Sequence, residues 1–254
     1  MSETPADVEA PRRRFIKNIA GVAAVIPIQA LATAPSAEAA ASAPPASPSA
    51  GSAPGSVSVV PDGYQFFSAE EAAFVESAVS TMCPADELTP DGVACGLATY
   101  IDRQLAGGFG TGERLYMQGP WHAGKPEQGY QLPFDPAGFF RAGLAAAQAA
   151  CQAANGKKFE QLTPPQRDVF LTALAQGKVT DHSVPLAQWF NELVFPLFEQ
   201  ACFADPVYGG NRDKVFWRMV GYPGLPAFHT VDVQNFRGKP FPGAQQPKSI
   251  QDFS

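Results

Sequence analysis

From Ala40 to Ser56 every residue is Ala, Ser, Pro or Gly. Such a tract carries no large apolar side chain, so it cannot bury enough surface to offset chain entropy. It predicts a disordered, partly extended linker over residues 40–61. The chain therefore divides into an N-terminal segment, 1–39, and a stretch, 62–254, of roughly 190 residues, a comfortable size for one domain. Val57 to Val60 could pair as a short edge strand, although no partner strand is evident. With 45% hydrophobic residues the domain can build a core. The net charge of −6 argues against nucleic acid as a partner, because neutralising phosphates needs a surplus of Lys and Arg.

The N-terminal segment reads as an address. Pro11-Arg12-Arg13-Arg14-Phe15-Ile16-Lys17 precedes a moderately apolar stretch from Asn18 to Ala34, the layout of an export signal. Arg12, Arg13, Phe15 and Lys17 resemble the twin-arginine targeting motif, with Pro11 where Ser or Thr is usual. Ala37-Glu38-Ala39 offers a small-x-small cleavage site at Ala37 and Ala39. A membrane anchor needs about 20 mostly apolar residues, and this stretch is interrupted by Pro27, Gln29 and Thr33. Retention of the uncleaved segment as an anchor stays open. The twin-arginine translocase moves folded proteins, often with a cofactor inserted or a partner bound. A small exported protein with no cofactor motif fits that route best if it folds with a partner.

The domain reads as mainly α, a single irregular helical domain with long Gly- and Pro-rich loops. Ser68 and Glu71 form a capping-box pattern opening a helix that Pro84 ends. Val93, Leu97, Ile101 and Leu105 form an i, i+4 row, stopping at Gly107-Gly108. Asp135-Pro136 and Thr163-Pro164 are N-cap and first-turn pairs. Their helices close at Asn155-Gly156 and at Gly177. Val184 to Phe203 is the most apolar segment and should kink at Pro196. A last short helix is expected over 212–220. The stretches 107–134 and 221–254 read as long loops, which are often functional or covered by a partner.

Motifs for chemistry are sparse. Gly107-Gly108-Phe109-Gly110-Thr111-Gly112 follows a helix rather than a strand, so it reads as a turn and not a phosphate cradle. Cys83, Cys95, Cys151 and Cys202 lack C-x-x-C spacing, which argues against zinc, iron–sulfur and covalent haem sites. An even count in an exported protein suggests disulfides, with Cys83–Cys95 bracketing a short loop and leaving Cys151–Cys202. Buried thiols, or a bond from Cys151 to a partner, are the alternatives. His122, His182 and His229 fall in separate loops and read as surface or capping residues. Asp86, Glu87 and Asp205 read as loop caps. No residue is assigned a catalytic, cofactor-binding or metal-ligating role.

What remains are aromatic and glycine clusters: Tyr116-Met117-Gln118-Gly119-Pro120-Trp121, Asp205-Pro206-Val207-Tyr208-Gly209-Gly210-Asn211, and Trp217 through Gly224. Together with Thr81 to Asp86 and Tyr100 to Gly107, they resemble gluconate 2-dehydrogenase subunit 3, from about Phe66 to Gly224. The D-P-x-Y-G-G-N segment with the following W…G-Y-P-G is the most specific part. The resemblance implies a non-catalytic small (gamma) subunit. Its partners would be a large FAD-containing subunit of the glucose–methanol–choline oxidoreductase type and a multihaem cytochrome c carrying haem c. The small subunit would stabilise the flavoprotein and escort it by the twin-arginine route to the periplasm, at the inner membrane. Whether the chain counts as an enzyme is then a question about the complex. The interface residues read from these clusters are Tyr116, Trp121, Tyr208, Gly209, Gly210, Asn211 and Trp217. The competing reading is a stand-alone periplasmic sugar-binding module or sugar oxidoreductase, with a pocket lined by Trp and Tyr.

Overall fold

Ser68 accepts the Glu71 N–H at 3.3 Å while Glu71 accepts the Ser68 N–H at 2.8 Å, closing the expected capping box at the start of α1 (Ala69–Met82). The structure is a computed structural model that describes residues 63–253 except 123 and 227. The leader with Arg12, Arg13, Phe15, Lys17, Ala37 and Ala39, the linker, and the expected strand at 57–60 lie outside the described residues. Among the described residues there is no strand, only an isolated parallel bridge between Gly224 and Lys248.

The helix starts and stops follow the local chemistry. α2 (Leu97–Ala106) begins four residues later than the apolar row suggests, because Gly96 adopts a left-handed conformation at its N-terminus. α3 (Pro136–Asn155) starts at Asp135, whose Oδ1 accepts the Gly138 N–H at 2.6 Å, and ends at a left-handed Gly156. α4 spans Pro164–Ala175. The long apolar segment is not one α-helix. α5 (Leu186–Trp189) runs into a π-turn, Phe190–Val194, and on into α6 (Phe195–Phe203). Pro196 has no N–H to return to the preceding turn. The irregularity it demands takes the form of this wide turn, closed by the Phe195 N–H on the Phe190 carbonyl.

The segment expected as one helix over 212–220 breaks in two. A 3₁₀ turn at Arg212–Lys214, with Asn211, Asp213 and Lys214 at positive φ, precedes α7 (Val215–Val220). The tail is a further correction, because 221–254 is not an irregular loop throughout. It holds α8 (Thr230–Asn235) and 3₁₀ turns at Pro242–Gln245 and Ile250–Phe253. None of these short elements buries a residue, so no apolar periodicity betrays them in the sequence.

The core lies between α1, α2, α3 and the α5–α6 segment. α2 packs on α6, α3 on α5, and α1 on α4. Phe74 meets Phe159 at 4.6 Å between ring centroids, and Phe140 meets Trp189 edge-on at 6.1 Å. Buried Asp102 on α2 accepts three consecutive backbone N–H groups, from Gln65, Phe66 and Phe67, at 2.7, 2.8 and 2.9 Å. Those contacts fix where the chain enters the domain. No helix among the described residues is long and apolar enough to cross a membrane.

Candidate partner interface

The Gly-rich turn after α2 is ordered by backbone bonds. Gly110 donates to the Gln104 carbonyl at 3.1 Å and accepts from Ala137 of α3 at 3.0 Å. It carries Phe109 and Leu115 to the surface, 43% and 47% exposed, next to Tyr116 at 79%. An apolar side chain that stays wet costs free energy unless something covers it.

The D-P-V-Y-G-G-N segment meets this surface from the other side. Asp205 accepts the Val207 N–H at 3.0 Å and the Ile250 N–H at 2.9 Å, holding a 3₁₀ turn that presents Tyr208, 51% exposed. Gly209 follows with φ +100°, and a Cβ there would sit 2.6 Å from Arg103 Nη1. A Cβ on Gly96, the residue before α2, would lie 2.2 Å from the Gly209 carbonyl oxygen. The two glycines thus let the motif's backbone rest directly on the start of α2. Asn211 is fully buried, donating to the Ala204 carbonyl at 3.2 Å and accepting the Phe216 N–H at 3.0 Å. Trp217 is buried as well, donating from Nε1 to the Phe203 carbonyl at 2.8 Å.

The seven residues read from the sequence therefore separate into two groups. Tyr116 and Tyr208 are exposed and Trp121 is half-buried, whereas Gly209, Gly210, Asn211 and Trp217 are buried within the chain. The buried four build the platform for Tyr208 rather than present a surface of their own. The tertiary fold also joins the clusters of Tyr116 and Tyr208, 92 residues apart in sequence. One concavity of about 610 Å³ is lined by Tyr100, Phe109, Leu115 and Tyr208. A second, of about 390 Å³, is lined by Leu115, Tyr116, Trp121, Tyr130 and Glu192. Leu115 belongs to both, so the two aromatic clusters form one continuous face.

This face has a polar floor. Tyr130 Oη and Glu192 Oε2 are buried atoms with no hydrogen-bond partner among the described residues. Burial first, then the Asp135 and Glu192 carboxylates, pushes the Tyr130 pKa up to about 12. Its phenol therefore stays protonated and able to donate. Unmet polar atoms in a concavity are where a ligand or partner group gains most. Phe109, Leu115, Tyr130 and Glu192 were not evident from the sequence. An exposed Leu in a glycine-rich loop carries no sequence signature distinct from a core Leu.

Arg103 lies beneath the Gly209 turn. Burial and then the Arg212 guanidinium lower its pKa, while Asp102 raises it. His122 and His182 are exposed. His229 lies between two acceptors, with Nδ1 3.0 Å from Asp232 Oδ2 and Nε2 3.0 Å from the Gly224 carbonyl. Among the described residues no group of three or more His, Cys, Asp or Glu is placed to hold a metal ion.

All four cysteines are buried and none is bridged in this structure, a departure from the expected disulfides. Cys83 and Cys95 do come together, both thiols facing the Pro90 carbonyl. The second pairing, Cys151–Cys202, is corrected. The Cys151 thiol donates to the Lys157 carbonyl at 3.6 Å and lies against Asn155, at the end of α3, while Cys202 on α6 bears on Cys95.

Comparison with known proteins agrees with the motif reading. Residues 69–224 match the family model for gluconate 2-dehydrogenase subunit 3. Neither the comparison with curated proteins nor that with solved structures found a match. The matched span starts at α1 and ends at Gly224, taking in the Tyr208 platform and both concavities. The chain therefore belongs to the gluconate 2-dehydrogenase subunit 3 family.

Proposed function

We propose that this chain is the non-catalytic small subunit of a periplasmic, membrane-associated, FAD-dependent gluconate or sugar dehydrogenase complex. The family match carries this reading. The FAD belongs to a large glucose–methanol–choline-type subunit, and haem c to a partner cytochrome that takes the electrons. The small subunit holds the flavoprotein folded and escorts it through the twin-arginine route by means of Arg12 and Arg13. The joined Tyr208–Leu115–Tyr116 face supports the reading, since it exposes the aromatic residues that protein interfaces favour at their centres.

Co-expression of the full chain with the flavoprotein encoded beside it should yield a 1:1 complex. Purification of each protein alone, with the flavoprotein fully active, overturns the reading. Replacing Arg12 and Arg13 by Lys should strand both this chain and the dehydrogenase activity in the cytoplasm. Unchanged periplasmic activity in that variant removes the escort role.

A further inference from the structure

Cys83 caps α1 and Cys95 directly precedes the Gly96 turn into α2, so the two stand at the ends of one connecting loop. Both side chains are about 1% exposed. Their thiols converge on a single acceptor, the Pro90 carbonyl oxygen, at 3.9 Å from Cys83 Sγ and 3.5 Å from Cys95 Sγ. Backbone bonds hold both ends in place. Gly92 N–H donates to the Cys83 carbonyl at 2.8 Å, and Cys95 N–H to the Asp91 carbonyl at 2.9 Å. The outer part of the loop, residues 85–88, is exposed.

We infer that Cys83 and Cys95 are a two-electron redox pair that closes to an intrachain disulfide on meeting a small disulfide oxidant such as oxidised glutathione. One protein thiolate attacks the oxidant's S–S bond, forming a mixed disulfide and releasing one glutathione thiol. The second protein thiolate attacks the protein sulfur of that mixed disulfide and displaces the other glutathione. Two protein thiols thus lose two protons and two electrons, and the two glutathione thiols gain them. Hydrogen bonding to Cys83 and burial hold the Cys95 pKa well above the ordinary thiol range, so the thiolate is scarce in the closed fold. Exchange therefore starts when the exposed loop opens. Cys202 is the third sulfur nearby, but Cys83 is the one that shares both a hydrogen bond and the Pro90 acceptor with Cys95.

The bridge has a consequence for the interface. The Cys95 carbonyl accepts the Arg212 N–H at 3.0 Å, and the Gly209 turn rests on Gly96. Closing Cys83 to Cys95 ties the end of α1 to the platform that presents Tyr208. The two thiols are brought together by this chain alone, whatever partner it binds.

The test uses the full chain, reduced and then equilibrated with oxidised glutathione. Remaining thiols are alkylated in denaturant, the chain is cleaved after Glu87, and the peptides are mapped without reduction. The expected product joins the peptide ending at Glu87 to the one beginning at Leu88, with the loss of two hydrogens. The melting temperature should rise by about 5 °C and fall back with dithiothreitol, as a ring of this size restricts the unfolded chain. C202S should keep both the link and the rise, and C83S or C95S should abolish both. Full alkylation of Cys83 and Cys95, or a link from Cys95 to Cys202, overturns the inference. Because the unaltered chain gives the decisive map, a variant that fails to fold does not blunt the test.

Discussion

Asp102 anchors the N-terminal edge of the described residues to α2. It is about 1% exposed, and its two carboxylate oxygens accept three successive N–H groups at the entrance to the domain. A carboxylate so placed substitutes for the missing secondary structure of residues 65–67 and lets Phe67 reach the core. Asp102→Ala should lower the unfolding free energy by about 3 kcal/mol in urea titrations, since buried donors lose charged acceptors. Asp102→Asn keeps an acceptor oxygen and should cost less than half of that. A null effect for the alanine variant would show that water replaces the carboxylate. His229 is the second residue with a definite expectation. Both ring nitrogens face acceptors, so only the imidazolium donates to both. Asp232 first, then the Gly224 carbonyl, raises its pKa above 6.5. A raised folded-state value means that this fastening is complete below about pH 6.5 and fades as pH climbs through the folded pKa. Proton NMR titration should place the His229 midpoint above 6.5, and Asp232→Asn should bring it back down.

Among the elements, the α3–α5 contact shows how far packing overrides local preference. Gly143 lies in the middle of α3, where Gly→Ala ordinarily stabilises a helix by about 1 kcal/mol. Here a Cβ would stand 2.2 Å from Cδ1 of Trp189, which is itself 1% exposed and cannot swing aside. Gly143→Ala should therefore destabilise the protein by about 2 kcal/mol, measured by urea or thermal unfolding. A stabilised variant would mean that the helices part more easily than this packing implies. The boundaries of α1, α3 and α4 were legible because each begins with a capping residue that acts within three positions. The late start of α2 and the split at 212–220 were not, because they depend on backbone meeting backbone across the fold. The π-turn is intermediate: Pro196 announces an irregularity but not its form. In the tail, Lys248 brackets Gly224, accepting from Leu225 and donating to Pro223 at 2.8 and 2.9 Å, and a Lys214–Asp252 ion pair adds to that closure. Such contacts leave no periodic trace in the sequence.

At the scale of the whole molecule, the question is which residues of the conspicuous clusters face outward. If the proposed flavoprotein partner sits on this face, Tyr116→Ala and Tyr208→Ala should each weaken its binding about tenfold or more. The melting temperature of the isolated chain should stay within about 1 °C. Trp217→Ala should behave in the opposite way, lowering the melting temperature by several degrees because its indole is buried and hydrogen-bonded. Affinity measured on immobilised small subunit, beside thermal unfolding of the same variants, separates the two classes. Loss of stability without loss of affinity in the tyrosine variants would move the interface elsewhere.

The sequence by itself determined that the domain is helical, where α1, α3 and α4 begin, and which family it belongs to. Those properties rest on short-range chemistry: caps, prolines, i to i+4 rows, and a motif read in one stretch. Only the tertiary structure decided that Tyr208 and Tyr116 share a face through Leu115, and that Cys202 stands with Cys95. It alone placed Gly209 and Asn211 beneath the surface they shape. The reason is physical. Residue exposure and thiol proximity depend on which helices cross, and crossings are set by side chains far apart in the chain. Asp102, nearly forty residues beyond the first described residue, fixes the course of residues 65–67 by contacts that no local pattern announces.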